Sequence, residues 1–575
     1  MTANAIAAAG AELTTPMQDH WRGRARYTVF DNDHGDGSRF AALAEAWRAD
    51  PQRPARLHVV ALTDRLQAGF HRIPQPDPRL TLDLLAASQD TAQDTALDTA
   101  LAELNAHPDL IYLHGARGTA FVRPLARLTA LGARLESRGL DAEQRAALTA
   151  QGFAFDGDSA LFSTRKPRLA SAPEPDRRAL VLGAGLAGCA AAARLCARGW
   201  QVTLVERHPQ VALEASGNLA GIFMPLLSRD DNIPTRLTRA AYLYALRLWE
   251  QLGGVGRAFD GAQCGVLQLS RDARHAAASR AIAHEGRLPP DYARWLEPPD
   301  AQALLGLPAP EGGWLFPQGG WARPGGVCEA LLASCGARLT RRFGAGDVRF
   351  ERSGDEWLAR GPEGGVLGQA PTAILASGAG ARHMAHTREL PLQALRGQVT
   401  HLAPEHAPQL PLVLCREAYL TPSAHGVTCA GATYDLDDDP RLRSASQEEN
   451  LARLRGLVSD PMVAAGAPLA GRVGFRCVAP DRLPLVGGLP DFAAAGATER
   501  LRDVARHPGL YGLLGYASRG LIWAPLAAEL LAAQLEGEPL PLEMALVDAL
   551  DPARFVLRAR RNSRHPAPNI GDSGL

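Results

Sequence analysis

Residues 179–206 read ALVLGAGLAGCAAAARLCARGWQVTLVE, and this stretch decides the fold. It opens on a short apolar run, as expected of a buried parallel strand. A glycine turn follows, with Gly183, Gly185 and Gly188 in G-x-G-x-x-G spacing. An alanine-rich segment then runs to Gly199, a residue suited to the left-handed position after a helix. A second apolar run closes on Glu206. The whole is one βαβ unit. Its first glycine allows the tight turn, its second lets the backbone approach a pyrophosphate, and its third lets the helix pack closely on the strand. The helix N-terminus offers free N–H groups and a positive dipole end to phosphates. Glu206, 18 residues after Gly188, is placed to accept hydrogen bonds from a ribose hydroxyl pair. These four residues are expected to bind a dinucleotide. A plain glycine turn in an α/β domain is the alternative.

The flanks choose between the dinucleotides. Ser216, Gly217, Asn218 and Gly221 follow Glu206 within 15 positions, which suits backbone lying against a flavin and its pyrophosphate. A second strand-then-glycine segment, TAILASGAG at 372–380, contains Gly378. A third, at 509–533, contains Gly515 and Gly520. Three separated glycine turns give a large flavin the several backbone approaches it needs, so FAD is the expected cofactor.

Composition sets the outer bounds. The chain has 575 residues, 46% hydrophobic and 21% charged, which excludes wholesale disorder, collagen and a coiled-coil rod. Lys+Arg and Asp+Glu are both 61, so global charge does not indicate a strongly basic nucleic-acid binder. Lys166 is the only lysine. Arginine is the better group for bidentate phosphate and carboxylate recognition, although codon usage explains the bias equally well. The eight cysteines include no C-x-x-C pair; buried free thiols in a reducing cytosol fit best, and no metal site is expected. The N-terminus has no basic region before an apolar one, and no run of about 20 uncharged apolar residues exists. A cytoplasmic protein without a membrane span is expected.

Several segments are expected to punctuate the chain. The first 20 residues are alanine-rich and expected to fray. Residues 89–102, QDTAQDTALDTALA, read as a solvated helix or a loop insertion. Residues 164–178, rich in proline and charge, read as a linker, centred on 169–178. The C-terminal residues 551–575 read as a polar tail. Arginine clusters at 22–26 and 554–564 are candidates for phosphate contact or, as plainly, solvated charge runs.

Beyond the glycine unit lie further stretches in a fixed order: ASGNLAGIFMPLLSRDDN (215–232), FPQGGWARP (316–324), LRGQVTHL (395–402), YLTPSAHGVTCAGATYD (419–435), GRVGFRCVAPDRLPLVGGLPD (471–491) and GLLGYASRGLIWAPL (512–526). In this the chain resembles the D-amino-acid-oxidase-type FAD-dependent oxidoreductases, which include glycine oxidase. It is most similar to the oxidoreductase half of the bifunctional tRNA wobble-uridine modification enzymes. The resemblance implies oxidative removal of the carboxymethyl group from 5-carboxymethylaminomethyl-(2-thio)uridine in tRNA, releasing glyoxylate and leaving 5-aminomethyl-(2-thio)uridine. It implies Arg476 as the carboxylate clamp and Tyr419 as the aromatic closing the pocket. The turn holding Ser518 and Arg519 is the candidate for donors near the flavin ring, with Arg519 open to a tRNA phosphate instead. His401 and His425 are expected to be structural. A small-molecule amine or amino-acid oxidase on the same fold is the alternative, and a flavin-binding scaffold without activity is a third reading.

The resemblance also implies an S-adenosylmethionine-dependent methyltransferase in the first 168 residues, giving 5-methylaminomethyl-(2-thio)uridine. Its glycine loop, roughly E-x-G-x-G-x-G-x-N-F, corresponds to Asp31 through Phe40, with Asp33 at the first glycine and Arg39 at the asparagine. The ribose acid position holds Thr63, with Asp64 one place late, and a later acid is His114. One residue of slip turns a side chain to the opposite face of a strand. The domain is expected to be degenerate, persisting as a structural or tRNA-docking module. The fold expected is therefore α/β: a Rossmann-like methyltransferase domain at 1–168, then a two-lobed FAD-binding oxidoreductase at 179–550. Its FAD lobe is expected over 177–255, 316–395 and 484–545, and a mainly antiparallel substrate lobe over 256–315 and 396–483. The oligomeric state is not legible.

Overall fold

Four apolar runs in the first part of the chain become parallel strands buried on both faces, and a fifth strand, Arg134–Arg138, joins them buried only at alternate residues. The computed structural model describes residues 19–87, 93–164, 174–285, 288–458, 469–494, 496 and 498–564. The expected frayed N-terminus up to 18, and 165–173 of the expected linker, lie outside the described residues. The chain divides into two units, the first comprising Met1–Pro175, Leu246–Gln251 and Glu529–Val547.

In the first unit the strands are β1 (Arg26–Asp31), β2 (Arg56–Thr63), β3 (Gly69–Pro74), β4 (Leu80–Ala86), β5 (Leu110–His114), β6 (Arg134–Arg138), β7 (Phe153–Asp156) and β8 (Ser159–Phe162). They form one sheet in the order β3-β4-β2-β1-β5-β6-β8-β7. The five strands from β4 to β6 in that order run parallel, and β3, β8 and β7 are antiparallel at the edges. Alternate residues feed opposite cores: Phe30, Val60 and Ile111 pack on one face, Val29, Val59 and Tyr112 on the other. Strand order reverses between β1 and β5, which makes their carboxyl ends the place where a Rossmann-like sheet opens a crevice. The quasi-repeat, described from residue 93, is a helix as one of its two readings expected, solvated at Thr95 and Thr99 but buried along one face. Residues Gln93–Glu103 form a helix, and its Leu97 and Leu101, one helical turn apart, are buried with Leu104 in the core.

The second unit comprises Asp176–Ala245, Leu252–Ala528 and Asp548–Leu575. Here β9 (Arg178–Leu182) and β10 (Gln201–Val205) flank the helix Leu186–Cys196, as the glycine motif requires. They sit in a six-stranded sheet ordered Leu339–Arg342, β10, β9, Thr372–Leu375, Arg506–Leu514, Leu485–Pro490, parallel except for the last pairing. A separate eight-stranded sheet is antiparallel at every pairing but one, Val266–Leu269 against Val413–Cys415. Its two long strands, Gln393–Leu402 and Ala470–Val478, run side by side over nine residue pairs.

Two readings of the sequence need correction. The expected polar tail contains a helix, Arg554–Arg564, whose first turn is buried at Phe555 and Val556. Its Arg554 is held by Asp481, Nε to Oδ2 at 2.9 Å. Amphipathic charge hid this helix, because the partner carboxylate lies 73 residues away in sequence. The arginine clusters are likewise absorbed: Arg24 donates to Asp109, Arg26 to the Glu536 carbonyl, and Arg558 pairs with Asp481. All eight cysteines are free, seven of them buried and Cys264 half-buried. Among the described residues no helix is long and apolar enough to cross a membrane.

Candidate active site

The glycine turn is built by close packing. A Cβ at Gly188 would lie 1.8 Å from the Gly183 carbonyl oxygen, and one at Gly183, where φ is +104°, 2.6 Å from the Ala376 carbonyl oxygen. No other residue fits either position. Gly185 faces the loop instead, where a Cβ would meet Ser216 Oγ at 3.1 Å, and that hydroxyl accepts from Leu186 N. Glu206 ends β10 with both carboxylate oxygens oriented by backbone donors: Ala184 N on Oε2 at 2.6 Å and His208 N on Oε1 at 3.0 Å. Each oxygen keeps a further lone pair. The 213–218 loop is pinned from the other sheet by Arg472, which donates to the carbonyls of Leu213 and Glu214.

These features surround a cavity of about 940 Å³. That is the upper end of the range for ligand pockets. Gly183, Gly185, Glu206, Ser216, Asn218, Gly378, Tyr419, Arg476, Gly515, Ser518, Arg519 and Gly520 all line it. Gly188 does not; it sits beneath the turn as the helix-packing glycine. Gly378 and Gly515 take left-handed backbone, φ +52° and +75°. His401 and His425 are outside the lining. His401 is held below the usual histidine range by burial and then by Arg472.

Arg476 projects from the strand Ala470–Val478 beside Gly397 of the neighbouring strand. A Cβ on Gly397 would fall 1.8 Å from Arg476 Nη1, so the missing side chain is what makes room for the guanidinium. Arg476 Nη1 reaches the Thr433 carbonyl at 3.4 Å, and its Cζ stands 4.7 Å from the centre of the Tyr434 ring. Most of its donors stay available to a ligand. Tyr434 is 54% exposed, and burial pushes the Tyr419 phenol up, so it stays a neutral donor. Burial pushes the Cys415 thiol, also on the wall, up to about 12, so it offers no thiolate at neutral pH. Arg519 donates to the Met224 carbonyl at 3.3 Å, and burial lowers its pKa.

Three residues of this site carry no motif of their own. Gly397, Tyr434 and Tyr516 take their places through strand register and loop folding. Tyr516 is among the lining residues, while its hydroxyl is buried away from the open space and without a hydrogen-bond partner. Its position next to Gly515 was the available signal.

The loop carrying Tyr434 is anchored by a buried arginine. Arg396 Nε donates to the Asp439 carbonyl at 2.7 Å, Nη2 to the Arg441 carbonyl at 2.6 Å, and Nη1 to Asp435 Oδ2 at 3.1 Å.

Comparison with known proteins agrees with this geometry. Residues 178–534 match the family described as FAD dependent oxidoreductase. The tRNA 5-methylaminomethyl-2-thiouridine biosynthesis bifunctional protein MnmC of Burkholderia thailandensis is 41% identical over 616 residues, covering 95% of this chain and 93% of that relative. The chain belongs to the MnmC family. An MnmC from Azoarcus is 40% identical over 598 residues, with the same coverage of both chains. Glycine oxidase from Geobacillus kaustophilus shares the fold at a TM-score of 0.53 with 20% identity, covering 66% of this chain and 99% of the oxidase. Iminodiacetate oxidase from Chelativorans gives 0.52 and 24%, covering 63% and 96%. The MnmC-family chain thus has an oxidoreductase fold in its second unit, and the flavin has a cradle that fits it: turn glycines that a Cβ would fill and a buried acid just after β10.

Proposed function

We propose that this chain modifies the wobble uridine of tRNA, removing the carboxymethyl group from 5-carboxymethylaminomethyl-(2-thio)uridine in an FAD-dependent oxidation. The observation that carries the reading is Arg476. It presents a guanidinium into a flavin-sized cavity, in a gap left by Gly397. The substrate side chain is an N-substituted glycine, and its carboxylate matches that fork for two parallel N–H···O bonds.

Gly183, Gly185, Ser216, Asn218, Gly378, Gly515 and Gly520 would hold the flavin, with Glu206 on its ribose. When bound, the flavin would supply a two-electron oxidation that removes a hydride from the carbon next to the carboxylate. The residues of the chain then have three tasks. Arg476 fixes the carboxylate and so the carbon to be oxidised. Tyr419, neutral through burial, donates a hydrogen bond and shields the site from bulk water. Arg519 and Ser518 supply donors on the wall where negative charge develops. The oxidised C–N bond is an imine; water adds to it, giving glyoxylate and the primary amine on the uridine. The catalytic assignments of Arg476, Tyr419, Ser518 and Arg519 are part of this proposal, as is action in the cytoplasm, where tRNA is modified.

Nucleoside analysis of tRNA from a deletion strain tests the reading. We expect 5-carboxymethylaminomethyl-(2-thio)uridine to accumulate, and its loss on complementation with the wild-type chain. An unchanged profile, together with turnover of free glycine-like amines by the purified protein, would move the assignment to a small-molecule oxidase.

A further inference from the structure

The MnmC relatives are named bifunctional, and a methyl group appears in the product they are named for. A methyl donor of the S-adenosylmethionine kind would sit in the first unit, at the carboxyl ends of β1 and β5, where strand order reverses. The residues there do not fit it. Seating such a donor takes free backbone N–H groups in the turn after β1 and carboxylates at the strand ends.

In this turn the donors are already used by the chain itself. Asp33 N bonds to Asp31 Oδ1, His34 N to the Leu62 carbonyl, Gly35 N to Asp33 Oδ1, Gly37 N to the His34 carbonyl and Ser38 N to Asp36 Oδ1. The acids are used as well. Asp31, 4% exposed at the end of β1, is ion-paired with Arg39 from the first turn of the helix Ser38–Ala49. The same guanidinium bonds the Asp33 carbonyl at 3.2 Å and lies 5.3 Å from the centre of the Tyr112 ring on β5. Asn32 clasps β1 to β5 by two bonds with the His114 backbone, 2.8 and 2.7 Å. At the end of β2 stands Thr63, whose hydroxyl accepts from Arg65 N, and Asp64 beyond it is exposed. At the end of β5 stands His114, kept below the usual histidine range by burial, then by Arg39 and Arg138, and so uncharged at neutral pH. A cationic sulfonium donor would meet a guanidinium where it needs an acid. It would also have to break several of these bonds, each worth about tenfold in affinity.

We infer that the first unit does not take S-adenosylmethionine, because Arg39 and the turn after β1 close its crevice from within. Combined with the oxidation proposed above, on which this consequence rests, the primary amine leaves the chain unmethylated. Any methyl on that nitrogen in the finished tRNA then comes from a separate N-methyltransferase.

Two measurements on the full-length, flavin-loaded protein decide it. Isothermal titration with S-adenosylhomocysteine should give no saturable heat up to about 1 mM ligand; saturable binding in the micromolar range would overturn the inference. Incubation with S-adenosylmethionine and tRNA from the deletion strain should yield 5-aminomethyl-(2-thio)uridine and no methylated nucleoside. A methylaminomethyl product would overturn it too. Starting nucleoside left unconverted would count against the oxidation, and the calorimetry, which needs no turnover, would still decide methyl-donor binding.

Discussion

At the scale of single residues, the proposed function rests on Arg476 and the further inference on Arg39. Replacing Arg476 by alanine removes a charge-assisted fork worth about 1.5–3 kcal/mol, so kcat/KM should fall about 10- to 200-fold. The visible flavin spectrum should be kept, and activity within twofold of wild type would refute the clamp. Arg476→Lys restores charge without the planar fork, and should recover only part of the loss. His114 reports on the first unit through pH. Its imidazole is depressed in the folded chain, so the unfolded chain takes up the proton first as pH falls through about 6.5. Stability therefore rises as pH climbs through that window and is lost as it falls. His114→Asn should flatten the melting-temperature profile of the protein between about pH 5 and 7; an unaltered slope would show that other groups set it.

At the scale of elements, the strand pair Gln393–Leu402 and Ala470–Val478 matters as much as the glycine turn. Gly397→Ala puts a methyl group into the Arg476 guanidinium, so activity should drop about as far as in Arg476→Ala while flavin content stays full. Gly188→Ala drives a Cβ into backbone, and this variant should be recovered colourless or unfolded. Arg396→Met strips the anchors from the 435–443 loop and leaves its partners unpaired, at a cost of about 3–5 kcal/mol for a buried pair broken from one side. We expect a lower melting temperature and a raised KM for tRNA.

These cases also separate what was legible. The βαβ unit could be read because local spacing encodes it, whereas Arg476 was named only through the resemblance of its G-F-R-C stretch to the glycine oxidases. Gly397 and Tyr434 could not be read, since their roles arise from which residue faces which across a sheet and from a loop anchored elsewhere. The helix Arg554–Arg564, buried at its first turn, was missed for the same reason. Its charges look solvated until Asp481 is brought to them.

At the scale of the whole molecule, the first unit is not a continuous stretch of chain. Buried Arg72 on β3 pairs with Asp83 at 2.7 Å, with Glu529 at 2.9 Å and with the Pro539 carbonyl at 2.6 Å. Arg56 pairs with Glu538 at 2.8 Å. A fragment ending at residue 175 loses Glu529, Glu538 and Pro539 while keeping both arginines. We expect it to show no cooperative thermal transition by near-ultraviolet circular dichroism. A sharp transition near that of the full chain would refute this.

This stitching bears on heredity. If the first unit takes no methyl donor, as inferred above, a gene would ordinarily be free to shed its leading half. Here the residues that complete that half are encoded near the far end, so a deletion at the start would leave acidic and apolar groups stranded in the surviving oxidase. On that inference the first half is retained as masonry, and substitutions in its crevice can accumulate so long as they still fill the space.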